Sequence, residues 1–68
     1  MTDRTNAMIA DTTMAAVADV NFAITMLQHG NRDKAATYAS KAIARLQRVV
    51  RACRGDVVEL EPEPKGDG

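Results

Sequence analysis

Residues 31–54 read NRDKAATYASKAIARLQRVVRACR, and this stretch decides the fold. At about 100° per residue, Ala35, Ala39, Ala42, Leu46, Val49 and Cys53 fall in one seam, spaced 4-3-4-3-4. Ile43 and Val50 widen that seam into an apolar face, while Lys34, Lys41, Arg45 and Arg48 form a basic stripe on another side. The spacing predicts one long amphipathic helix over about 32–54. A helix with such a seam does not bury it alone, so the rest of the chain must supply a partner.

Working back towards the N-terminus, Gly30 stands just past an apolar-periodic run, where a left-handed C-cap belongs. Asn31 tolerates a turn and caps the following helix, and Asp33 complements that helix's dipole. The run before Gly30 predicts a first helix over about 5–29. Thr2, Asp3, Thr5 and Asn6 all offer capping side chains at its start. Its main apolar face holds Ile9, Ala16, Val17, Val20, Ala23, Ile24 and Leu27. Five of these, Ile9, Ala16, Val20, Ala23 and Leu27, match a heptad seam interrupted only by Thr13. A connection of two or three residues forces the helices to be antiparallel neighbours, giving a rod about 35 Å long. The alanines at 16, 23, 35, 39 and 42 let the two backbones approach closely.

A second apolar strip on the first helix, Met8, Ala15, Phe22 and Met26, lies within about 40° and is bordered by Asp11 and Asp19. It is expected to lie where the hairpin partner does not reach, and so to form an oligomer interface. Chain size points the same way. Sixty-eight residues are close to the lower limit for a single core, and one cysteine, Cys53, makes no intrachain disulfide. With Cys53 and His29 the only residues of their types, a structural zinc site is not expected either. Cys53 sits in the apolar seam and reads as packing. The expected architecture is therefore all-α: residues 1–55 form an antiparallel two-helix hairpin that assembles into a helical-bundle homo-oligomer.

Downstream, Gly55 ends the second helix after Arg48, Arg51 and Arg54, which suit its negative end. Residues 56–68, DVVELEPEPKGDG, combine prolines, glycines and acidic residues and read as a flexible acidic tail. Val57, Val58 and Leu60 offer a short apolar segment able to dock on the body or on a partner. The opening MTDRTNAMIA lacks a basic segment followed by a long apolar run, so no signal peptide is expected. No stretch is read as approaching the ~20 apolar residues of a membrane span. A soluble cytoplasmic protein without membrane partners is the expectation.

Function is less legible. Nine basic and nine acidic residues leave a formal net charge of zero, which argues against a general polyanion binder. No phosphate-cradling glycine loop, HExxH helix, nucleophile–base set or carboxylate pair is present, so neither catalysis nor a cofactor is expected. The ligand-binding candidates are Arg32, Lys34, Tyr38, Lys41, Arg45 and Arg48: cations for phosphates, with one aromatic able to stack on a base or sugar or to close the hairpin. His29, Asn31, Arg32 and Asp33 cluster at the hairpin tip, where ordinary turn chemistry accounts for Asn31.

Three resemblances gather around the second helix. GNRDKAATYASKAI, residues 30–43, is similar to the turn and second helix of a tetratricopeptide repeat, with Gly30, Ala35 and Ala42 at the small positions and Phe22, Ala23 and Met26 loosely matching its first helix. The chain holds one such unit, whereas a solenoid stacks several. DKAATYASKAIARL, residues 33–46 and about a fifth of the chain, resembles the helical hairpin of small phage anti-defence proteins, oligomeric sponges that sequester cyclic-nucleotide immune signals. Ala35, Tyr38, Ala39, Ala42, Ile43 and Arg45 carry that likeness. Length, hairpin architecture and polar tail are also similar to the plasmid RNA-binding hairpin dimer Rop. The sponge resemblance implies a non-enzymatic, phage-type inhibitor that sequesters a small anionic nucleotide in a homo-oligomer. The alternatives are an adaptor or inhibitor of a host protein, using the Met8/Phe22/Met26 strip or the acidic tail, and a Rop-like RNA-binding dimer.

Overall fold

The computed structural model describes residues 3–58 and residue 60. It is an all-α hairpin of two antiparallel helices, α1 (Asp3–Gln28) and α2 (Arg32–Cys53), joined by a three-residue turn. Most of the acidic tail, 61–68, lies outside the described residues. Of the apolar tail residues described, Val57 is almost wholly exposed, while Val58 and Leu60 are half-buried.

The turn is built from caps on both sides. Gly30 adopts φ +76°, the left-handed conformation expected of it. Its N–H reaches the Leu27 carbonyl at 3.0 Å, and the Asn31 N–H reaches the Met26 carbonyl at 2.8 Å, a Schellman pair. Asn31 then starts α2: its Oδ1 accepts from the Lys34 N–H at 3.1 Å. His29 is tied down as well, its Nδ1–H donating to the Thr25 carbonyl at 2.9 Å. At the far end Gly55, at φ +96°, closes α2 through a second Schellman pair, Gly55 N–H to Ala52 O and Asp56 N–H to Arg51 O, both 3.0 Å.

The interior is made of small side chains. Its buried apolar residues are Ala16, Ala23, Ala35 and Ala42, joined by Thr12 and Asp19. Alanine facing alanine lets the axes draw close, and the polar members are satisfied locally. Thr12 donates its hydroxyl to the Met8 carbonyl one turn back, at 3.0 Å, and Asp19 pairs with Arg45 of α2. Thr13 and Thr25 turn their hydroxyls onto i−4 carbonyls in the same way.

This face differs from the seam expected on α1. Val20 and Leu27, expected inside, are 42% and 56% exposed, and Leu46 of α2 is 41% exposed. The buried line runs through residues 12, 16, 19 and 23, a rotation of about 40° at 100° per residue. The reason is steric and electrostatic together. Close backbone approach favours the smallest side chains on the line of centres, and the Asp19–Arg45 pair turns α1 towards the basic side of α2. Cys53, also placed in the seam by its spacing, is exposed.

A further correction concerns membrane length. Thr5–Gln28, 24 residues, is long and apolar enough to cross a membrane by length and composition. The many alanines and methionines, each only mildly apolar in appearance, add up to that total. In the hairpin the same helix carries a buried aspartate paired with α2.

Candidate functional site

The described hairpin is one layer thick, its Cα trace measuring 13 Å along the shortest axis, and therefore has two broad faces. They differ sharply in chemistry.

On one face the candidate binding residues gather. Lys34, Tyr38, Lys41, Arg45 and Arg48 occupy an arc of about 80° on α2, whereas Arg32 projects from the opposite side of the helix. Tyr38 is half-buried and stacks on Phe22 across the hairpin, with ring centroids 5.2 Å apart and planes 27° apart. The ammonium of Lys41 stands 5.5 Å from the Tyr38 centroid, within cation–π range. Lys34 lies one turn before Tyr38 on the same side. The result is a stacked aromatic pair, half-exposed at Phe22, between two exposed lysines. A planar ring has a surface to rest on there, and an anion has two nearby cations.

Farther from the turn the stripe changes character. Arg45 gives its guanidinium to Asp19, whose side chain is 10% exposed against 24% for Arg45. Its positive charge is matched inside the fold, so the centre of the stripe carries less field than a row of arginines suggests. Arg48 is half-buried as well. Sequence reasoning marked Arg45 as a ligand candidate and Asp19 only as a border residue, without seeing that they meet. The signal that could have found the pair is a carboxylate in an apolar arc of one helix facing a basic stripe on the other.

The expected interface residues are divided between environments. Met8, Ala15 and Met26 are half-buried, and Phe22 takes part in the aromatic stack. The opposite face of the hairpin carries the large exposed side chains: Val17, Val20, Ile24 and Leu27 from α1, Ile43, Leu46 and Val50 from α2. A shallow groove along Ile43, Leu46, Gln47, Val50 and Arg51 belongs to this face and not to the basic one.

The ring nitrogen Nδ1 of His29 is engaged with backbone, and among the described residues no three His, Cys, Asp or Glu side chains gather as metal ligands. What the basic face can do is hold a flat anionic molecule, and what the apolar face can do is bury itself. Comparison with known proteins adds no relative: no family model, curated protein or solved structure matches the chain.

Proposed function

We propose that the chain is a non-enzymatic binding protein that acts as a cytoplasmic homo-oligomer and sequesters a small anionic nucleotide, in the manner of phage inhibitors of cyclic-nucleotide immune signalling. One observation carries this reading: the Phe22–Tyr38 stack lies between Lys34 and Lys41, so a base and a phosphate find partners within one patch. An oligomer carries the patch once per copy, so each copy offers its own site.

The test is calorimetry and thermal shift against a panel of mono-, di- and cyclic nucleotides. Ligand at about 100 Kd stabilises by ~2.7 kcal/mol, which raises the melting temperature of a chain this small by roughly 10 °C or more. Lys41→Glu abolishes the shift and leaves the helix content unchanged. Arg45 is a poor choice for this experiment, because its loss strands Asp19. A panel with no shift in the wild type overturns the proposal.

A second reading, an adaptor or inhibitor of a host protein, draws on the opposite face, whose seven large apolar side chains suit a protein partner. Rop-like RNA binding is supported less, since the neutralised Arg45 interrupts the basic face such a dimer needs.

A further inference from the structure

We infer that Val17, Val20, Ile24 and Leu27 of α1, with Ile43, Leu46 and Val50 of α2, are the surface through which two copies of this chain dimerise into a four-helix bundle. The inference rests on the homo-oligomer of the proposed function and replaces the strip around Met8 and Phe22 as its interface.

The first ground is what the hairpin lacks. Among the described residues the buried apolar side chains are four alanines, and every leucine, isoleucine and valine of the seven stands 41–57% exposed. An alanine core in a single helical layer supplies little burial for a chain of this length. Laying one apolar face on another creates the missing second layer for both copies at once.

The second ground is area. A helix of 26 residues is about 39 Å long, and two helices about 10 Å across and about 9 Å apart make a face about 19 Å wide. That footprint is roughly 700 Å² per copy, near the ~800 Å² per partner of a specific stable interface.

The third ground is shape. The contacts Asp19–Arg45 and Phe22–Tyr38 fix the register, setting residue i of α1 beside about residue 62 − i of α2. Near the turn, α1 therefore presents Ile24 and Leu27 beside the small Ala36 and Ala39 of α2. In the middle Val17 and Val20 stand beside Ile43 and Leu46, and towards the free ends Val50 of α2 stands beside the smaller Ala10 and Thr13 of α1. The large side chains thus form a diagonal ridge from Leu27 of α1 to Val50 of α2, and a copy turned over by a two-fold axis crosses that ridge, laying each bulky end on the other's shallow ground. An isologous bundle needs that self-complementarity. The basic and aromatic patch stays on the outside of such a dimer.

Sedimentation equilibrium across a wide concentration range tests the inference, with circular dichroism as the folding control. Wild type is expected to be a dimer whose melting temperature rises with concentration. Ile24→Glu and Leu46→Glu are expected to be monomeric or unfolded. The milder Leu46→Ala stays helical and weakens self-association at least about tenfold, because symmetry applies the loss twice. Phe22→Asp leaves the dimer intact. Persistence of the dimer in Ile24→Glu and Leu46→Glu, or its loss in Phe22→Asp alone, overturns this interface while the homo-oligomer stands. A wild type that is monomeric at every concentration overturns both. A monomer that floats with phosphatidylcholine/phosphatidylglycerol vesicles assigns the face to lipid instead.

Discussion

Replacing Arg45 by methionine keeps a long apolar stem in place and removes the guanidinium that meets the Asp19 carboxylate. Asp19 is 7% exposed as a residue, so the variant leaves a carboxylate with little water around it. Breaking a fully buried pair costs about 3–5 kcal/mol, and an exposed pair is worth ~1 kcal/mol or less. With one partner nearly buried and the other a quarter exposed, the expected cost is about 2–3 kcal/mol. A chain of 68 residues has only about 3–10 kcal/mol in total, so the loss takes a large share of its stability. The complementary change, Asp19→Leu, is milder, at about 1 kcal/mol, because arginine can swing its charge to solvent while its stem still packs. Joining the two changes removes both charges from a low-dielectric site and returns stability to within about 1 kcal/mol of wild type. Urea unfolding followed by far-ultraviolet circular dichroism measures all four proteins. They must be compared at one protein concentration, since assembly makes stability concentration-dependent. An Arg45→Met variant within 0.5 kcal/mol of wild type, or an Asp19→Leu variant costing more than Arg45→Met, would refute the account (thresholds set at about the scatter of surface substitutions).

Other perturbations probe the caps and the seam. Gly30→Ala meets open space, so its cost, about 1 kcal/mol or roughly 4–8 °C, is conformational alone. Gly30→Asn, which tolerates a left-handed backbone, loses less, and an equal drop in melting temperature for the two contradicts this. Asn31→Ala removes the acceptor for the Lys34 N–H and costs about 1 kcal/mol in chemical denaturation, whereas Asn31→Ser retains most of the stability. Ala42→Leu forces bulk into the close contact of the helices and destabilises by about 1–3 kcal/mol. Ala44→Leu, exposed on the same helix, is expected to be near neutral, and matching losses at both positions argue against close packing at Ala42.

The hairpin was readable in advance because its signals are local. Gly30 and Asn31 mark a short turn by backbone chemistry alone, and α2 alternates apolar and charged residues clearly enough to show its facing side. The first helix offered no such clarity. With valines, isoleucines, methionines and alanines on nearly every side, α1 has several apolar stripes of similar strength, and periodicity does not rank them. The choice among them is made by long-range facts: how closely alanines let the backbones approach, and where Arg45 finds a carboxylate. Those facts exist only once both helices are in place. The same ambiguity leaves the strip around Met8 and Phe22 and the strip around Val20 and Ile24 equally legible as outward faces of α1. Of the six ligand candidates, spacing grouped five on one arc, but it gave no warning that Arg45 is internally matched.

The three-residue turn also governs how this chain moves and assembles itself. Every interhelical pairing is a consequence of the one nearer the turn, so sequence separation grows steadily along the rod, from about eight residues at Leu27 to 26 at the Asp19–Arg45 pair. Such an arrangement closes as a zipper. Each step costs little extra loop entropy once the preceding step has formed, and helical hairpins of low contact order fold in microseconds to milliseconds. Opening runs the other way, starting where α1 begins and α2 ends. Amide hydrogens are then expected to exchange in a gradient along the rod, slowest beside Ala23 and Ala35 and fastest around Asn6 and Ala52.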